Sequence, residues 1–173
     1  MKPITRPRPG DFPESYGAYI GGANGEHLAD ALHHASRQEA ETLALVPAER
    51  WAYRYAPGKW TTKEVVQHII DVERIFAYRA LCFARNERGS LPGMDENAYQ
   101  AEARTDRRPV ADLLRESQAV RLATIELFAG FDDVALGRSG TANGNHFTVP
   151  AWGWIIAGHA EHHLRLIRER YLM

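Results

Sequence analysis

Apolar residues recur at intervals of three and four in four separate stretches of this chain, the spacing that gathers side chains on one face of an α-helix. The first runs from about residue 26 to 46, through Leu28, Ala31, Leu32, Ala35, Thr42, Leu43 and Val46, and stops at Pro47. The second begins after Thr61, whose spacing to Glu64 matches a capping box, in which hydroxyl and carboxylate each satisfy a free amide of the first turn. It continues through Val65, Val66, Ile69, Val72, Ile75, Phe76, Leu81 and Phe83 to about Asn86, with Gly89 a natural stop. Pro109 suits the first turn of a third helix bearing Val110, Leu113, Leu114, Val120, Leu122, Ile125, Leu127 and Phe128, closed near Gly130. The fourth starts near Thr148, with Pro150 in its first turn, and follows Trp152, Ile155, Ile156, Leu164 and Ile167 to about Tyr171. Four long helical patterns and almost no strand predict an all-α protein, a four-helix bundle.

The intervening stretches have their own signals. From Met1 to about Gly25, Pro and Gly predict an extended or turn-rich lead-in along the outside, pinned by Phe12, Tyr16 and Tyr19. Residues 51–60 form an aromatic-rich loop, turned at Pro57-Gly58, that can cover one end of a bundle. The connection 87–108 is long for a bundle; it permits a crossover, and long ordered loops often carry function. Gly137 to Asn145 is rich enough in glycine to turn a short hairpin, though its flanks lack the alternation of strands.

Composition narrows the class. With 173 residues and 45% hydrophobic positions, one domain spanning 1–173 with a sizeable core is expected. Net charge is -1, and the 21 basic residues are interspersed with 22 acidic ones, so no nucleic-acid or membrane surface is predicted and a small-molecule partner is the default. Cys82, the single cysteine, lies in an apolar helical run that predicts a buried, unreactive thiol. The charged residues among Met1 to Pro9 have no apolar run behind them, which reads as neither signal peptide nor anchor and points to the cytoplasm.

Candidate chemistry centres on Gly158-His159-Ala160-Glu161-His162-His163 in the fourth helix. His159 and His163 are four apart, so both can reach one ion, and both fall on the apolar stripe with Trp152, Ile155, Ile156 and Leu166. Two imidazoles hold a metal weakly; the best third ligand is His68, between Val65 and Val72 on the inward face of the second helix. Spacing alone leaves a bland alternative open, three core histidines hydrogen-bonded to carbonyls or carboxylates, since HxxxH without the glutamate of HExxH is common. His162 is rotated by about 100° and faces elsewhere, and His27, His33 and His34 read as solvated surface. Asp71, one turn from His68, either orients an imidazole or pairs with Arg74; Glu161 points away from the ligands; Asp95 reads as a solvated loop acid able to reach the mouth of the site. Arg79 either pairs with a core carboxylate or contacts an anionic substrate. No catalytic residue beyond a metal is assigned.

The chain resembles the DinB/YfiT-like superfamily in Tyr-Ala-Pro-Gly-Lys-Trp-Thr (55–61), in the helix bearing Val-Val-Gln-His-Ile-Ile-Asp-Val-Glu-Arg (65–74), in Leu91 to Glu96, and in the terminal Gly158 to His163 followed by Arg168 to Leu172. The lead-in Tyr16 to Ile20 is similar too, so the likeness spans nearly the whole chain. The resemblance implies an up-down-down-up four-helix bundle, often a homodimer, with a divalent metal, commonly nickel or zinc, held by His68, His159 and His163. A His-rich site also suits copper or iron, with manganese a further candidate. The implied activities are a metal-dependent hydrolase or a transferase using a low-molecular-weight thiol; the alternative is a non-catalytic metal-binding or stress-response bundle.

Overall fold

The computed structural model describes residues 2–173. Four long helices dominate: α2 (Leu28–Ala44), α3 (Thr62–Ala84), α5 (Val110–Ala129) and α7 (Val149–Arg170). Shorter helices lie in the lead-in (α1, Gly17–Gly22), in the long connection (α4, Glu96–Glu102) and after α5 (α6, Asp133–Leu136), and a hairpin pairs β1 (Ser139–Ala142) with β2 (Asn145–Thr148). The caps explain the boundaries. Thr61 Oγ1 accepts from the Glu64 amide at 3.2 Å, while the Thr61 amide donates to the Glu64 carboxylate at 2.6 Å. Thr148 caps α7 through the Ala151 amide at 3.4 Å, and Pro109 stands just before α5 rather than inside it.

Cross-helix contacts settle the direction of each helix. Arg108 bonds Gln67, and Arg121 bonds Glu73, so α3 and α5 run in the same direction. Leu28 packs at Gly153 and Arg168 donates to Thr42, so α2 and α7 are likewise parallel. Phe83 and Phe76 meet Trp152 while His68 meets His159, so α3 and α7 are antiparallel. The bundle is therefore up-down-down-up. Parallel neighbours cannot be joined by a tight turn, which is why the 85–109 connection is long: it carries α4 and a single 3-10 turn (Thr105–Arg107) back along the bundle.

The lead-in differs from the expected extended segment. A 3-10 turn (Glu14–Tyr16) runs into α1, which packs on α7, while Ile4 accepts from the Leu28 amide at 2.9 Å and Thr5 accepts from Trp154 Nε1 at 3.0 Å. The hairpin forms despite weak alternation because Phe147 is buried against Trp152, stacked at 4.1 Å between centroids. Cys82 is half-buried rather than sealed. No helix among the described residues is long and apolar enough to cross a membrane.

At mid-bundle the core is not apolar throughout. Glu39 on α2 accepts from Ser117 on α5, and Glu73 on α3 accepts from Arg121 Nη2 at 2.7 Å, all four residues being buried. Burial pushes the Glu39 carboxyl upward, against the pull of Arg121 and Ser117.

Candidate metal centre

His68 sits one turn before Val72 on α3, and His159 and His163 sit one turn apart on α7. Antiparallel packing of these two helices brings the three together. His159 Nε2 lies 3.1 Å from His68 Nε2 and 3.1 Å from His163 Nε2, and one ring nitrogen from each, a potential ligand atom, falls within 4.8 Å of the others. His68 and His159 are each 5% exposed, and His163 is half-buried. Among the described residues, this is the one group of three or more such side chains close enough to share an ion. The other histidines stand apart: His27 caps α2, His33 is exposed, and His162 leans on the Tyr19 ring at 5.5 Å.

Burial keeps all three imidazoles neutral. It lowers the pKa of His68 to about 4, and that of His163 to about 3 with help from His68 and His162. His159 is pushed well below its usual value, by burial first and then by His163 and His68. Neutral imidazole is the ligating form, since its free lone pair is the donor. Each neutral ring carries one N–H, so three nitrogens turned on one point cannot all be satisfied by one another, and a shared cation is the chemistry this donor set fits. Spacings of 3.1 Å are close to the ~3.3 Å separating imidazole nitrogens around a tetrahedral zinc with ~2.05 Å bonds. His163 Nδ1 is buried with no protein partner, so its tautomer is set by what Nε2 meets.

Aromatic rings wall the centre. Trp60 lies 4.8 Å from the His68 ring, and Tyr19 lies 5.4 Å from the His159 ring. His68 and His159 open on a cavity of about 290 Å³ that Tyr16, Tyr19, Phe76, Arg79, Met94, Glu96 and Asn143 also line. His163 opens on a second, of about 240 Å³, with Trp60 and Tyr171 in its wall. Glu96 lines both.

The candidate helpers divide. Asp71 accepts from Gln67 Nε2 at 2.9 Å and lines a different groove, while its expected partner Arg74 pairs with Glu116. Glu161 accepts from the Asn24 amide at 3.0 Å, away from the ligands as its helical phase requires. Asp95 caps α4 by accepting from the Asn97 and Ala98 amides, and Glu96, its exposed neighbour, lines both cavities. Asp95 is exposed, as a solvated loop acid is, and an Asp before a helical run is an N-cap signal. Tyr16, Tyr19 and Asn143 come to the cavity from remote segments; the sequence marked the two tyrosines as pins of the lead-in, not as site residues, and Asn143 not at all.

No curated protein matches this sequence. Among solved structures, YfiT from Bacillus subtilis, described as a probable metal-dependent hydrolase with an unusual four-helix bundle topology, is similar in fold at a TM-score of 0.72. The two are 17% identical, over 96% of this chain and 91% of that one. The model of the DinB superfamily matches residues 31–167, which hold all four bundle helices but the ends of the first and last, together with the three histidines, and the chain belongs to the DinB superfamily.

Proposed function

We propose that this protein is a metal-dependent enzyme of the hydrolase type, acting on a small molecule, with a divalent ion, zinc or nickel, held by His68, His159 and His163. The observation that carries the reading is the convergence of three neutral, desolvated imidazoles, two on the wall of one cavity and the third on the wall of its neighbour. Three protein ligands leave a coordination position free, which distinguishes catalytic from structural sites. When bound, such an ion polarises the bond to be cut and makes water a nucleophile near neutral pH.

The chain's own groups supply the remainder. Glu96, at the junction of the two cavities, takes the proton from a water held there and returns it to the leaving group. Tyr16 and Tyr19 keep their hydroxyl protons, since burial raises both pKa values, and serve as donors to a substrate oxygen. The packed rings of Trp60, Tyr19 and Phe76 limit water to the cavities.

The second cavity favours one other reading, a transferase in which a low-molecular-weight thiol enters on one side of the centre and the acceptor on the other. Metal content of the purified protein tests the common premise: about one ion per chain is expected, falling towards zero in His68→Ala, His159→Ala and His163→Ala. Unchanged stoichiometry in all three would refute the site. The loaded protein is then screened against esters and amides, and against electrophiles with small thiols. Turnover of the first panel supports the hydrolase and of the second the transferase, and Glu96→Gln should lower either by roughly 10²–10⁴-fold with metal retained. Metal bound without turnover of either panel would leave a non-catalytic metal-binding bundle.

A further inference from the structure

We propose that the cavity above the histidines takes a small organic anion whose carboxylate is held by Arg79, while the group to be transformed lies at the histidine end. The histidine end rests on the metal reading above; the arginine end does not.

Arg79 is 5% exposed, yet it makes no ion pair among the described residues. Its one hydrogen bond runs from Nη2 to the Pro92 carbonyl at 2.8 Å. A guanidinium carries five N–H donors, so most of its capacity is unspent on the protein. None of its nitrogens is a sealed, unpartnered atom, so the remaining donors face the cavity that Arg79 lines. The fold treats its other deeply buried arginine differently: Arg121, 1% exposed, is matched by Glu73. A buried cation without a counter-charge is costly unless a ligand supplies one. Burial also lowers the pKa of Arg79, the cost that a bound anion would relieve.

The geometry of the group suits a carboxylate. The guanidinium carbon lies 5.5 and 5.3 Å from the Phe76 and Trp152 ring centroids, and the fork of donors on a guanidinium matches the two-pronged hydrogen bonding that carboxylates accept. Tyr16 and Asn143 line the same cavity as further polar contacts. Glu96 lines this cavity as well as the His163 cavity, but it makes no ion pair with Arg79 among the described residues. Along α3, His68 and Arg79 are separated by a rise of ~16 Å, and helical side chains lean back towards the N-terminus. Arg79 therefore reaches towards His68, and a ligand touching both ends is a compact acid, in keeping with a cavity of about 290 Å³.

The test compares an acid with its neutral isostere. Zinc-loaded protein is titrated with the monohydroxamate of suberic acid and with the same molecule carrying a primary amide in place of its carboxylate; zinc-free protein is titrated with octanoate and octanamide. Binding is read by calorimetry and by fluorescence of Trp152, which lies under Arg79. The acid should bind roughly tenfold or more tightly than the amide. Arg79→Gln should abolish the preference while leaving amide binding within about twofold, and Arg79→Lys should restore part of it. Acid and amide bound equally, or neither bound, in both zinc-loaded and zinc-free protein would overturn the proposal, as would a preference that survives Arg79→Gln. Failure of the metal reading shows separately, as protein that takes up no zinc, and leaves the octanoate comparison in force.

Discussion

Gly158, first residue of the histidine hexapeptide, offers a case in which two physical effects predict opposite signs. It lies on α7 where α1 crosses, and a Cβ there would stand 1.8 Å from the Tyr19 carbonyl oxygen and 2.5 Å from its carbon. Returning to ordinary contact at 3.4 Å requires the two backbones to part by about 1.6 Å. Neither is a flexible side-chain end: α7 is locked in the bundle, and α1 is fixed by Ile20 in the core and by the Ala23 amide on that same Tyr19 carbonyl. Helix propensity alone says that Gly158→Ala should stabilise by about 1 kcal/mol. Overpacking costs about 1 to 3 kcal/mol, occasionally more, and an atom this deep inside another lies at the upper end. A net loss of about 2 kcal/mol is therefore expected, as a lower urea midpoint with an unchanged slope. Because Tyr19 packs on His159, the lifted α1 should also open the cavity, seen as faster exchange of bound metal. A gain near 1 kcal/mol would refute the close approach and return Gly158 to an ordinary helix position.

Three further outcomes are expected. Arg121→Met should cost about 3–5 kcal/mol by stranding buried Glu73, and adding Glu73→Leu should recover most of it; a single-variant loss under about 1 kcal/mol in urea unfolding would refute the pairing. Thr61→Ala should cost about 1 kcal/mol through the lost cap of α3, with no change in metal content; an unaltered midpoint would contradict the capping box. In metal-free protein, His68 has a folded pKa of about 4 against 6.5 unfolded, so its stability contribution is complete above pH 6.5 and disappears as pH falls towards 4, a loss of about 3 kcal/mol. His68→Gln should flatten the stability profile across that window, and an unchanged slope would refute it.

His68 shares the buried face of its helix with Glu73, and Glu39, Ser117 and Arg121 are likewise buried among the apolar residues of α2 and α5. A polar residue on such a face has two destinies, a partner across the core or a ligand from outside, and period alone does not separate them. Across the core, Glu73 found Arg121 and Glu39 found Ser117. His68 found two more imidazoles, which is a shortage of protons rather than a closed pair. Arg79 found a carbonyl and an open cavity. Asp95 spends its carboxylate on capping α4, while the adjacent Glu96 lines both cavities.

By itself the sequence determined the local matters. Four runs with helical period, the Thr61 to Glu64 cap, the prolines at the starts of α5 and α7, and the one-turn spacing of His159 and His163 are consequences of backbone geometry within a few residues. Tertiary structure alone decided the rest. Whether α3 runs with α5 or against it, which face of the lead-in reaches His159, and which buried charges meet depend on contacts between residues tens to more than a hundred positions apart. Those contacts are selected by packing and by the cost of leaving a polar group unpaired in the core, and neither quantity has a period along the chain.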